Sequence, residues 1–198
     1  MEKTAATIVL SAFLIAGLAW PSASLQQAPP RLKPALLVID IQNAYLPMME
    51  PKDRGNVTWM INGAIQLFRL FGCPVIRVHH TDPGFGPKPG TKEFDFPEDI
   101  LVKPDDPQIV KNYPSAFKKT GLEKLLRDRG VNAVFLCGLS ATGCVLATYH
   151  GARDLDFEAF LVKDALLSPS VVQTGYVEAI SETVGYQAMR VMLQNAAR

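Results

Sequence analysis

Residues 35–41 read Ala-Leu-Leu-Val-Ile-Asp-Ile, an apolar run broken only by the carboxylate of Asp40 near its end. With no polar alternation, the run predicts a strand covered on both faces, as a parallel sheet requires. The same grammar recurs downstream. Pro74–His80 (PVIRVHH) reads as a second strand, Gln108–Lys111 as a short third, Ala133–Leu139 (AVFLCGL) as a fourth and Ala159–Val162 as a fifth. Helical spacing fills the gaps. Val57, Met60, Ile61, Ala64, Ile65 and Phe68 share one face of Asn56–Phe71, with Asn56 placed to cap the start and Gly72 to end it. Leu122–Arg129 is amphipathic, a helix is expected from Cys144 to Asp154, and one or two more between Val171 and Ala196. Alternating strands and helices predict an α/β fold: a mainly parallel sheet with helices on both faces and ligands outside the C-terminal strand ends.

The 198 residues, 48% hydrophobic and 20% charged, are enough for one domain with a sizeable core. Twenty Lys+Arg against 19 Asp+Glu leave +1, so no overall basic field invites nucleic acid, and none is expected as a partner. After Lys3 no charge occurs until Arg31, and Ile8–Leu18 forms an apolar run. That run is shorter than the about 20 residues of a membrane span and has the length of a signal-peptide core. Pro21 ends it, and Ser22-Ala23-Ser24 offers small residues for cleavage. Residues 1–24 are therefore read as a signal peptide, 25–33 as a lead-in and 34–198 as the folded domain. The protein is expected to be exported, periplasmic or secreted, with no stable membrane span in the mature chain; a buried N-terminal helix or an uncleaved membrane anchor is the lesser alternative.

Three strand ends carry chemistry: Asp40 after strand one, Lys111 closing strand three and Cys144 after strand four. Gly138-Leu139-Ser140-Ala141-Thr142-Gly143 predicts a sharp turn that sets Cys144 at a helix start, where N–H groups favour a thiolate and an oxyanion. A neighbouring ammonium would stabilise the thiolate and a carboxylate could take its proton. The turn nearly spells a serine nucleophile elbow, but the closing glycine falls one position late at Gly143. No His follows near the C-terminus either, the last being His150, so a serine mechanism is rejected. Cys73 and Cys137 fall at opposite ends of a parallel sheet and should not pair. Asn56-Val57-Thr58 is a glycosylation sequon but reads better as a helix cap. Residues 81–107, with six prolines, are too long for an ordinary connection and read as an excursion over the site.

Asp40-Ile41-Gln42-Asn43-Ala44-Tyr45, Lys111-Asn112-Tyr113-Pro114-Ser115-Ala116-Phe117 and Gly138–Val145 together resemble the isochorismatase-like cysteine hydrolases, a family that includes nicotinamidases, carbamoylsarcosine amidohydrolases and isochorismatases. The resemblance runs over about residues 34–190. It implies a three-layer Rossmann-like fold with strand order 3-2-1-4-5-6 and a catalytic triad of Asp40, Lys111 and Cys144. It also implies a cis peptide at Leu139–Ser140 and an oxyanion hole from the N–H groups of Ser140 and Cys144. Where the family usually has Thr, this chain has Ala141, and Ser140 and Thr142 are the nearest hydroxyls. The implied reaction cleaves a C–N bond of a small-molecule amide through a thioester. Vinyl-ether hydrolysis of an isochorismate-like acid, and a catalytically silent binding or oligomeric module, are the alternatives. Cys144, which that vinyl-ether chemistry does not need, weighs against the first, and the intact Asp-Lys-Cys set against the second.

Nicotinamidases of the family hold a metal with an Asp-x-His pair and a further His. Here His80-Thr81-Asp82 has the reverse order and no His lies between 81 and 149, so no metal or other cofactor is expected. Strand alternation lets only one of His79 and His80 face the site. Tyr45, His80, Tyr113 and Phe117 are the expected pocket residues, while Phe85, Phe94 and Phe96 serve equally well as pocket wall or as the excursion's own core. Homo-oligomers are common in the family, and one is expected here.

Overall fold

The computed structural model describes residues 31–49 and 51–197. The expected signal peptide (1–24) and the first part of the lead-in (25–30) lie outside the described residues.

Six parallel strands form one sheet: β1 (Pro34–Ile39), β2 (Val75–His80), β3 (Gln108–Lys111), β4 (Ala133–Leu139), β5 (Glu158–Leu167) and β6 (Thr183–Val184). Their order is β3-β2-β1-β4-β5-β6, as the resemblance implies. The direction of winding reverses between β1 and β4, so a crevice opens beyond their C-terminal ends. Every residue of β1 and β4 is buried, as unbroken apolar runs require.

Alternate strand residues face opposite layers. Leu37, Ile39, Val134 and Leu136 pack with Leu122 and Leu126 of α2 (Leu122–Asp128) and Tyr149 of α3 (Leu146–Arg153). Leu36, Val38 and Phe135 pack with Ile61, Ile65 and Phe68 of α1 (Pro51–Leu70), joined by Met189 and Leu193 of α5 (Tyr186–Ala196). Helix α4 (Val171–Ile180) contributes Val177 to the first layer. No described helix is long and apolar enough to cross a membrane. The three cysteines are free, including Cys73 and Cys137.

Local boundaries differ from the sequence reading for identifiable reasons. Helix α1 begins at Pro51, so Asn56 is a second-turn residue and not its cap. A proline starts a helix well, because the N–H it lacks has no intrahelical acceptor there, and the polar first turn hides the start from apolar periodicity. Strand β5 runs on past Val162 through Lys163 and Asp164, where its pairing with β4 shifts register and Asp164 takes a positive φ of 61°. The charged pair interrupts the apolar run but not the strand. Cys144 lies in a π-helical turn (Ala141–Val145), and α3 starts only at Leu146.

Candidate active site

Strand β4 crowds against β1 just before the site. A Cβ on Gly138, which has φ 119°, would lie 2.0 Å from the carbonyl oxygen of Ile39, so only glycine fits. That contact sets the start of the turn carrying Cys144 against the end of β1. The Leu139–Ser140 peptide is cis. The N–H groups of Gly143 and Val145, flanking Cys144, both donate to the Ser140 carbonyl at 3.0 and 3.2 Å. Ala141 is buried in the core below the turn, and the Ser140 and Thr142 hydroxyls meet each other at 3.3 Å.

Lys111, the last residue of β3, is drawn inward by strand alternation and is 2% exposed. Its ammonium donates to Asp40 Oδ2 at 2.7 Å and to His80 Nδ1 at 3.0 Å. Its strand partner in register is His80. Asp40 is buried, and its Oδ1 has no hydrogen-bond partner among the described residues. The Cys144 sulfur, the Asp40 carboxylate and a His80 ring nitrogen all lie within 4.8 Å of one another.

Burial pushes the Asp40 carboxyl up to about 6, against the downward pull of the Lys111 ammonium. Burial and the Asp40 charge push the Cys144 thiol up to about 11, with Lys111 only partly opposing them. The raised thiol and the carboxyl near 6 leave Asp40 the better proton acceptor at neutrality, in keeping with a carboxylate placed to take the thiol proton. Burial and then Lys111 lower His80 to about 4, so its ring is neutral. Accepting from Lys111 at Nδ1, that ring carries its proton on Nε2.

A cavity of about 510 Å³ opens beside these groups. Its polar lining residues are Asp40, His80, Asp82, Ser140 and Cys144, and Tyr45, Met48, Met49, Phe85, Leu139 and Pro169 supply its apolar surface. A model of the isochorismatase domain matches residues 34–191. The chain belongs to the isochorismatase family. Its sequence is 32% identical over 136 residues to the isochorismatase family protein YddQ of Bacillus subtilis, covering 66% of this chain and 76% of that one. It is 28% identical over 153 residues to maleamate amidohydrolase of Pseudomonas putida, covering 68% and 72%. Among solved structures, N-carbamoylsarcosine amidase from Thermoplasma acidophilum superposes with a TM-score of 0.68 at 25% identity, covering 78% of this chain and 95% of that one.

Within this isochorismatase-family chain, the fold gathers Asp40, Lys111, Cys144, Ser140, Tyr45 and His80 at one crevice, but not the remaining two pocket expectations. Tyr113 and Phe117 do not line the cavity. Lys118 and Lys119 lie over the Tyr113 ring at 4.6 and 5.2 Å, and Phe117 stacks on Phe157 at 5.8 Å. Both follow Lys111 in sequence, yet the chain turns away from the crevice after β3 to reach α2. The excursion divides its aromatics: Phe85 lines the cavity, while Phe94 and Phe96 stack on either side of His79 at 4.7 and 4.3 Å.

Gln42 went unassigned in the sequence reading. It is fully buried, its Nε2 donates to the His80 carbonyl at 3.1 Å, and its Oε1 accepts from the His80 N–H at 2.7 Å. This pair of hydrogen bonds fastens the end of β2 to the chain just past β1. Its position two residues beyond Asp40 was the available signal. Met48 and Met49 gave none, since the 3₁₀ turn at Leu46–Met48 that brings them in has no sequence period.

Asp40, His80 and Cys144 could in principle ligate a metal. The donor set does not fit one, because the Lys111 ammonium already occupies the cation position and two of the three donors accept from it.

Proposed function

We propose that the protein is a cysteine-dependent amidohydrolase that cleaves a C–N bond of a small-molecule amide through a thioester on Cys144. The observation that carries this reading is the buried Lys111–Asp40 pair, 2.7 Å long, whose Asp40 lines the cavity together with the Cys144 thiol. Membership of a hydrolase family, with maleamate amidohydrolase and N-carbamoylsarcosine amidase among the similar proteins, supports it.

In this reading the Cys144 S–H proton passes to Asp40 as sulfur bonds to the amide carbon and the carbonyl electrons move onto oxygen. The N–H groups of Ser140 and Cys144 receive that oxyanion, and Lys111 compensates the charge as it shifts from carboxylate to sulfur. The oxyanion collapses, the C–N bond breaks, and Asp40 returns the proton to the leaving nitrogen. Water then attacks the thioester while Asp40 takes one of its protons. The C–S bond breaks, the acid departs and the proton returns to sulfur. Each proton transfer is worth about 10²–10⁴-fold and the oxyanion contacts about 10²–10³-fold. With its thiol near 11, Cys144 relies on Asp40 at the moment of attack.

A hydrolysis screen over small amides, carbamoyl compounds and ureides tests the assignment, with ammonia or amine release as readout. Cys144→Ala is expected to lose activity by at least about 10³-fold with its circular dichroism unchanged. Hydrolysis surviving in that variant contradicts the nucleophile.

A further inference from the structure

The charges around the cavity are one-sided. Among its described lining residues there is no Arg or Lys, and the charged side chains are Asp40 and Asp82. Asp40 is matched by Lys111, whose ammonium is already engaged by Asp40 and His80. Asp82, exposed at the rim, makes no salt bridge among the described residues. Its position is nevertheless fixed. Oδ1 accepts from the backbone N–H groups of Gly84 and Phe85 at 2.7 and 3.1 Å, and the Gly86 N–H closes the turn onto the Asp82 carbonyl at 3.1 Å. The turn is tight enough that a Cβ on Gly86 would lie 2.3 Å from the Asp82 nitrogen. Those two donated hydrogen bonds hold the Asp82 carboxyl below its usual range, so it stays anionic wherever Asp40 is ionised. The turn that fixes Asp82 also carries Phe85, which faces the cavity together with Met48, Met49 and Pro169.

We propose that the site selects amides whose non-reacting part is apolar and uncharged, and that Asp82 is a specificity residue turning away amides that bear a carboxylate. The inference rests on the amidohydrolase reading. A carboxylate entering this cavity gives up water and finds no cation among the described lining residues, whereas an apolar group gains by burial against methionine side chains that adapt to its shape. The missing counter-ion supplies most of the discrimination, about 100-fold. Asp82 is solvent-exposed and screened, and its share is about two- to fivefold. Maleamate carries a carboxylate and is expected to be a poor substrate, in contrast to the relative named for it.

The test pairs 4-methylpentanamide with succinamate, nearly the same shape with isopropyl in place of carboxylate. The kcat/KM ratio is expected to favour the neutral amide by at least about 100-fold. In Asp82→Asn, which keeps the Oδ1 acceptor and so the turn, that ratio is expected to narrow by about two- to fivefold. A second measurement needs no turnover: the rates at which iodoacetamide and iodoacetate alkylate Cys144, each divided by its rate with glutathione. Iodoacetamide is expected to be favoured, and less so in Asp82→Asn. Succinamate used as well as the neutral amide, or iodoacetate labelling Cys144 as readily as iodoacetamide, overturns the inference. An alkylation preference for iodoacetamide with no hydrolysis of any amide supports the exclusion of anions and instead overturns the amidohydrolase reading.

Discussion

Asp40 and Cys144 show how burial shifts the titration of two ordinary residues. The carboxyl is held up to about 6 and the thiol up to about 11, so in the proposed mechanism a proton crosses from sulfur to oxygen during each attack. Only ionised Asp40 can receive it. The kcat/KM profile for a neutral amide is therefore expected to fall on the acid side with a midpoint near 6 and a slope of about tenfold per pH unit. Lys111 is the largest downward influence on that carboxyl. Lys111→Met is expected to shift the midpoint upward and to cut the rate near pH 7 by roughly 100-fold or more. Steady-state rates measured over a pH series check both, and an acid limb unmoved in the variant would contradict the coupling. The meeting of Asp40, Lys111 and Cys144 at one crevice was legible because each lies at or just past a strand end inside a distinctive local motif. Their protonation was not, since burial and the facing charges arise only when β1, β3 and β4 are brought together.

The elements carry the second layer of control. Gly138 lets β4 press onto β1, and Gly138→Ala would put a methyl group 2.0 Å from a backbone oxygen at a φ of 119°. The expected loss is roughly 3 kcal/mol or more of unfolding free energy, read by urea denaturation. The excursion between β2 and β3 is clasped by His79, stacked between Phe94 and Phe96 and within 3.2 Å of Gln108. Burial, helped by Arg77, lowers this histidine to about 4. Its folded pKa lies below the unfolded value near 6.5, so the neutral ring stabilises the fold above about pH 6.5 and that contribution is lost as pH falls toward 4. Thermal melts at about pH 7 and about pH 4 are expected to show a smaller drop in His79→Phe than in the parent. Apolar periodicity located these elements but misjudged their ends. The polar first turn of α1 and the Lys163-Asp164 shift in β5 interrupt the hydrophobic pattern without interrupting the backbone hydrogen bonds. Strand β6, two residues long, is too short to leave any period.

At the scale of the whole molecule, the unbroken apolar runs argued for a parallel sheet, and three ordered motifs supplied its strand order. What stayed hidden was which loops turn inward. Tyr113 and Phe117 looked like pocket walls because they follow Lys111, whereas Met48, Met49 and Pro169 reach the cavity through turns with no compositional signature. We propose that the chain is exported and processed. Intact-mass analysis of protein from cells making the full chain is then expected to show a start at Leu25, leaving 174 of the 198 residues (198 minus 24). The covalent intermediate on Cys144 is the central claim, and partitioning with hydroxylamine tests it most directly. Two amides that share an acyl group but release different amines are hydrolysed in the presence of hydroxylamine, and hydroxamate and acid are measured. A common thioester requires the same hydroxamate-to-acid ratio from both, with neither product formed by Cys144→Ala. A ratio that changes with the departing amine, or product formation by the variant, would contradict it.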